Sequence, residues 1–334
     1  MADHIQPVGV EQLLAWAADP ASRIAFSPLE QPFLLFDTAG ADLGEAEQAA
    51  VRAWLRQLPC PSIGVAARHS PLAAACDVLV ERAEDAQLLA DNIRHSPIAA
   101  AVLAQLLRAT EAMAVPEALT AESLAYSTLQ AGPEFRRWLQ ANRAEAPTAP
   151  DDAGPAVVLE RDGEVLQLEL NRPSNRNAMS VEMRDALVEA LQLALGDDSI
   201  RRLRISGRGK CFSTGGDLTE FGTAPDPATA HVVRSLALPG RLLAACAARA
   251  EAQVHGACLG SGIEFPAFAG RVLAAGDAYF QLPELKFGLI PGAGGCVSIA
   301  RRIGRQRTAW LVLSGKRINA RQALEWGLVD AVVS

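Results

Sequence analysis

At 334 residues the chain is long enough for one large domain or two modest ones, and half of it is apolar, which supplies a sizeable core. With 31 Lys and Arg against 38 Asp and Glu, a formal charge of −7 and no basic run, it lacks the footprint of a nucleic-acid binder. The six cysteines show neither CxxC nor Cys/His metal spacing, the N-terminus has no leader pattern, and no run reaches the about 18 apolar residues of a membrane helix. A cytoplasmic protein with reduced thiols, no metal and no membrane partner is therefore expected.

Read along the chain, "PFLLFD" (Pro32 to Asp37) and "SIGVA" (Ser62 to Ala66) are short buried strands flanking a helix on "GEAEQAAVRAWLRQL". After the strand "DVLVE" (Asp77 to Glu81), the Ala- and Leu-rich stretch from Arg82 to about Arg143 reads as mostly helical, interrupted near Pro116 and Pro133. "APTAPDDAGP" (Ala146 to Pro155) has no hydrophobic periodicity and marks the main boundary.

Beyond it, "AVVLERDGEVLQLELNRP" predicts a hairpin turning at Asp162-Gly163, and "SVEMRDALVEALQLAL" a helix capped by Ser180. "IRRLRISG" predicts a strand, "LPGRLLAACAARA" a helix, "EAQVHGAC" a strand and "RVLAAGDAYFQLPE" one or two strands. Strands alternating with helices point to a layered α/β core.

Three glycine-rich turns follow strand-like segments: "CFSTGGDL" (Cys211 to Leu218), "HGACLGSGIE" (His255 to Glu264) and "LIPGAGG" (Leu289 to Gly295). Glycine permits close backbone approach, and a turn that opens a helix leaves N–H groups pointing outward, so such turns can hold an oxyanion. Two carboxylates, Glu264 and Glu284, lie in this apolar, glycine-rich stretch.

Together and in order, "LELNRPSNRNAMS", "STGGDLTEF", "VHGACLGSGIE" and "QLPELKFGLIPGAGG" closely resemble the enoyl-CoA hydratase/isomerase (crotonase) superfamily. "RRIGRQRTAWLVLSGKRINARQALEWGLVDAVV" continues the match, which runs from about Val157 to Val333. The resemblance implies an α/β, crotonase-like (ClpP/crotonase) core of repeated ββα units. It further implies an acyl-CoA substrate, with coenzyme A as part of that substrate and no other cofactor.

By the same resemblance, the backbone N–H groups of Gly216 and Ser261 form an oxyanion hole for the thioester. Ser261 departs from the usual glycine there. Glu264 then activates water, and Glu284 delivers a proton to the α-carbon. Arg176, Ala178, Gly215, Asp217, Leu218, Phe221, Gly260, Pro291 and Gly292 are the implied substrate-binding positions. Arg176 stands in for the cation often found where this chain has Thr219. Asp217 reads as a turn brace, His255 as structural, Cys258 and Cys296 as non-nucleophilic, and Phe265 and Phe268 chiefly as core.

Two acids favour hydration, with isomerisation or another acyl-CoA reaction of the family as the alternative and a non-catalytic acyl-CoA-binding subunit as the rival. "AQLLADNIRHSPIAAAVLAQLLRAT" and "ESLAYSTLQAGPEFRRWLQANRAEAP" resemble the family's C-terminal tail helices, yet precede the core. A circularly permuted or tandem-derived order is expected, an unrelated helical domain being the alternative. The organisation is thus an α/β segment of unassigned role (1–80), a tail-like helical region (81–147), a linker (148–155) and the core (156–334). A homo-oligomer, trimer or hexamer, is what the family resemblance implies.

Overall fold

The computed structural model describes residues 5–27, 29–37, 43–65, 70–142 and 152–333. Residues 143–151, which hold the first half of the expected linker, lie outside the described residues, as does Ala66 at the end of the second expected strand. No helix among the described residues is long and apolar enough to cross a membrane.

The N-terminal segment holds α1 (Val10–Ala18), β1 (Leu34–Asp37), α2 (Glu45–Arg56), β2 (Ser62–Val65) and β3 (Val78–Val80). Its three strands pair in parallel in the order β1-β2-β3. Leu13, Phe26, Trp54 and Leu55 form a satellite core there, with the Trp16, Phe26 and Trp54 rings in mutual contact.

Four helices follow: α3 (Ala86–His95), α4 (Pro97–Thr110), α5 (Val115–Gln130) and α6 (Pro133–Ala141). Pro97, Pro116 and Pro133 each fall in a first turn. There the missing N–H costs nothing and the fixed φ favours the helix, so the prolines expected to interrupt a helix start new ones instead.

In the second region, β4 (Val157–Asp162) and β5 (Val165–Leu170) form the predicted hairpin, with Asp162 paired to Val165. The turn falls at Gly163-Glu164, one residue later than expected, because Gly163 adopts the positive φ of 56°. Ser180 caps α7 (Val181–Gly196) as predicted, its Oγ accepting from Met183 N at 3.2 Å. Next come β6 (Arg202–Gly207), α8 (Pro227–Leu236) and α9 (Pro239–Ala245).

The "EAQVHGAC" stretch splits into β7 (Ala250–Val254) and β8 (Ala257–Leu259). Gly256 between them has φ +54°, and a Cβ there would stand 2.4 Å from the Lys210 carbonyl oxygen. The short α10 (Ser261–Glu264), β9 (Arg271–Ala275), β10 (Tyr279–Gln281), α11 (Gly295–Ile303), α12 (Arg305–Ser314), β11 (Ile318–Asn319), α13 (Ala320–Trp326) and β12 (Ala331–Val333) complete the chain.

The main sheet runs β12-β9-β7-β6-β5-β4, parallel except for the hairpin, and a small sheet runs β11-β10-β8. Helices α3 and α4 pack on α12, and α4 and α5 on α11, while α5 also lies along α8 and α9. One continuous core joins Leu89, Leu103, Leu119 and Phe135 of these helices to Leu168, Ile205, Val272 and Leu311 of the sheet region. The helical segment thereby shares one core with the sheet region.

Candidate active site

Three elements converge on a cavity of about 610 Å³: the turn after β6, the β8–α10 turn and the segment leading into α11. Among its lining residues are Gly216, Ser261, Glu264 and Glu284, together with Gly215, Asp217, Leu218, Phe221, Gly260 and Gly292. Arg176, Ala178 and Pro291 do not line it. Arg176 and Asn177 turn through left-handed backbone (φ 60° and 53°), the Arg176 carbonyl accepts from Thr214 N, and Ala178 is buried beside them. Pro291 is turned toward the start of α11, where its carbonyl accepts from Cys296 Sγ.

Gly260 brings the two carboxylates together. Its φ is +47°, and a Cβ on it would stand 2.7 Å from Glu284 Oε1 and 3.7 Å from Glu264 Oε1. Both acids therefore face the space that the absent side chain leaves.

They are held differently. Glu264 Oε2 accepts from Ala293 N (2.7 Å) and Gly295 N (3.0 Å), groups left free by the opening turn of α11. Burial pushes its carboxyl up to about 7, against the opposing pull of these two N–H groups. Glu284 Oε2 is buried with no hydrogen-bond partner in the protein. Burial first, and then the neighbouring Glu264 charge, raise its carboxyl well above the ordinary range. The arrangement can thus offer a carboxyl group held by two N–H groups and a second, buried carboxyl with an unpartnered oxygen to one ligand in the same cavity, a pairing suited to acid–base chemistry.

Among the described residues, neither Gly216 N nor Ser261 N donates a hydrogen bond within the protein. The backbone around Gly216 is fixed by Met179, whose N donates to the Gly215 carbonyl at 2.7 Å and whose carbonyl accepts from Asp217 N at 3.2 Å. Asp217 Oδ1 accepts from Thr219 N (2.9 Å) and Thr219 Oγ1 (2.7 Å), so it braces the turn. The Ser261 hydroxyl is buried without a partner in the protein.

Other expectations have plain structural outcomes. His255 is half-buried, its Nε2 3.0 Å from the Gly209 carbonyl oxygen. All six thiols are free and buried, and burial pushes Cys60 and Cys76 up to about 12, far from thiolate chemistry. Phe265 and Phe268 are core side chains, whereas Phe221 meets Phe135, Trp138 and Phe287 in an aromatic cluster at the cavity.

The family model described as enoyl-CoA hydratase/isomerase matches residues 160–334, just over half of the sequence and the part that builds this cavity's floor. The chain belongs to the enoyl-CoA hydratase/isomerase (crotonase) superfamily. The 2,3-dehydroadipyl-CoA hydratase of Escherichia coli (strain K12) is 38% identical over 176 residues, which are 53% of this chain and 68% of that protein. The 1,2-epoxyphenylacetyl-CoA isomerase of the same strain is 36% identical over 181 residues, 51% of this chain and 66% of that protein. A solved enoyl-CoA hydratase/isomerase from Marinobacter aquaeolei superposes with a TM-score of 0.50 at 29% identity, over 54% of this chain and 70% of its own. The core has the crotonase fold.

This crotonase's cavity is closed by residues outside the matched region. Tyr126 and Gln130 of α5 and Phe135 of α6 line it. The Tyr126 ring lies so close to Gly292 that a Cβ there would stand 2.3 Å from its Cδ2. Glu122, one turn earlier on α5, accepts from Gly294 N (2.7 Å) and Cys296 N (2.9 Å). Glu122 and Glu264 thus take alternate N–H groups from residues 293–296, which fixes the loop-to-helix entry that holds Glu264.

Glu122→Ala is expected to leave two buried N–H groups unpaired, at a cost of about 2 kcal/mol or more. Thermal melting should show a fall of several degrees, and kcat should drop by about tenfold as Glu264 loses its support. Unchanged melting and unchanged kcat would mean that Glu122 supports nothing.

Proposed function

We propose that the chain hydrates α,β-unsaturated acyl-CoA thioesters. The observation that carries this reading is the convergence of Glu264 and Glu284 on the space beside Gly260, one held by two backbone N–H groups and the other with an unpartnered oxygen, next to the two free N–H groups of Gly216 and Ser261. The thioester oxygen accepts from those N–H groups, and each such donor is worth roughly 3 kcal/mol as negative charge develops.

The Glu264 carboxylate takes a proton from water while the water oxygen bonds to the β-carbon. The electron pair of the double bond passes into the enolate held by the two amides. Glu284 then gives its proton to the α-carbon, and exchange with solvent restores the starting protonation of the pair. Ser261 supplies its donor from the backbone, so the serine keeps the amide that glycine would provide.

We read α3–α6 as the displaced counterpart of the family's tail helices. This is supported by their lining of the cavity through Tyr126, Gln130 and Phe135 and by their shared core with the sheet.

The test is turnover of crotonyl-CoA and longer or aryl enoyl-CoAs, followed by loss of the conjugated thioester absorbance. Hydration predicts turnover on at least one of them. Tight binding of all with turnover of none would contradict it and favour a binding subunit.

The pH profile follows from the two acids. Below about 7 Glu264 takes up a proton and stops accepting one from water, so kcat/KM falls on the acid side. At higher pH Glu284 loses the proton it must donate, and kcat/KM falls again. A bell with its acid limb near 7 is expected, with both limbs belonging to the pair. A flat profile across about pH 5 to 9 would exclude this division of roles.

A further inference from the structure

The cavity contains a cation for which hydration has no use. Arg234, on α8, lines the same cavity as Glu264 and Glu284 and is half-buried. Its guanidinium lies over the Tyr126 ring, 4.7 Å from the centroid. Its hydrogen-bond partners are all neutral: Ser123 Oγ (3.0 Å) and carbonyl (3.3 Å), Ser127 Oγ, and Gln130 Oε1 (3.1 Å). Among the described residues no carboxylate lies within 4.0 Å of it, whereas Arg184, the other lining cation, is paired with Asp185 at 2.7 Å. The four contacts engage at most four of the five guanidinium N–H groups and fix the plane, leaving an Nη1 hydrogen uncommitted.

The Glu122 carboxyl on α5 faces Arg234 only from beyond ion-pair distance, so the partly desolvated guanidinium has no direct partner of opposite charge, and its rigid plane is suited to receive a carboxylate. Its position selects the acyl end of the ligand. Tyr126, under the guanidinium, touches Gly292, next to the Ala293 N–H that holds Glu264. Arg234 is therefore one ring removed from the reacting carboxylates.

We propose that Arg234 receives a carboxylate at the far end of the acyl chain, so that the preferred thioesters are ω-carboxyacyl-CoAs. This rests on the acyl-CoA reading of the cavity. It makes Arg234 a specificity-determining residue, since it would touch the end of the substrate remote from the double bond. A guanidinium serving a CoA phosphate instead would not discriminate between acyl groups.

Saturated thioesters separate binding from turnover. Calorimetric affinities are compared for glutaryl-, adipyl- and suberyl-CoA against pentanoyl-, hexanoyl- and octanoyl-CoA, with the intact chain, Arg234→Gln and Arg234→Lys. A charge-assisted hydrogen bond predicts that at least one carboxylated ester binds about tenfold or more tighter than its uncharged counterpart. Arg234→Gln should bring that ratio near one, and Arg234→Lys should keep part of it.

Equal or weaker binding of every carboxylated ester by the intact chain overturns the inference, even if neither variant folds. An equal loss for both ester classes in Arg234→Gln also overturns it, and assigns Arg234 to bracing α5 against α8 or to CoA itself. Failure of every ester to bind removes the acyl-CoA reading along with the inference, whereas binding without discrimination removes the inference alone.

Discussion

Glu264→Gln and Glu284→Gln are each expected to lower kcat for enoyl-CoA hydration by about 10²-fold or more, the usual scale of a positioned acid or base. Glutamine keeps the size of the side chain, so the loss isolates the proton. At position 284 the amide cannot give a proton to the α-carbon. At position 264 its oxygen can still accept from Ala293 N or Gly295 N, but the group no longer accepts a proton from water.

The two losses should not add fully, because each proton transfer depends on the other having a partner. Melting of Glu284→Gln should stay level, since a carboxyl that burial already keeps protonated is replaced by a neutral group of the same size. A kcat within about threefold of the parent in either variant, against the 10²-fold expectation, would sink the two-carboxylate mechanism.

The second large effect concerns stability. Asp77→Ala is expected to cost about 3–5 kcal/mol, because Asp77 is the shared anion of a buried three-part network. Its Oδ1 accepts from Arg108 Nε and Arg305 Nη1, each at 2.8 Å. Its Oδ2 accepts from Ser62 N and Oγ, each at 2.8 Å, and also pairs with Arg108 Nη2. Asp77 precedes β3 in the N-terminal segment, Arg108 is on α4, and Arg305 opens α12 of the crotonase core, so one carboxylate ties three parts of the chain together.

Removing it takes the carboxylate from two guanidinium groups that are under a tenth exposed, leaving Arg305 only the longer 3.7 Å pair with Glu111. Melting should fall by about 10 °C. If the N-terminal segment were only loosely attached, Asp77→Ala would leave the melting of the core unchanged. That result would also weaken the role given to α5 and α6 in closing the cavity.

The core was legible because its chemistry sits in contiguous motifs. Gly216, Ser261 and Glu264 each occupy a short glycine-rich stretch whose turns can be read directly, and Glu284 lies in the adjoining "QLPELKF". Glu122 could not be read this way. Its backbone partners lie 172 and 174 residues away in sequence, and an isolated Glu on a helix looks like a solvated charge.

Arg234 is similar, since its meaning depends on α5 packing across α8. A local signal for α8 did exist in "DPAT": Asp226 accepts from Thr229 N at 2.8 Å, with Pro227 in the first turn. Arg176 is the converse case. The motif around it matches the family, but left-handed backbone at 176 and 177 does not bring it to the cavity wall. The helical character of α3–α6 could be read from their sequence, whereas their place at the cavity is a property of packing alone.

The central claim is that this cavity adds water across a conjugated double bond, and the most direct measurement is product mass after reaction of crotonyl-CoA in deuterium oxide. Hydration predicts a 3-hydroxyacyl-CoA carrying one non-exchangeable deuterium at the α-carbon, formed by the intact chain and strongly suppressed in Glu264→Gln and Glu284→Gln. An acyl-CoA of unchanged unsaturation that has only gained deuterium would contradict hydration and identify proton transfer without water addition.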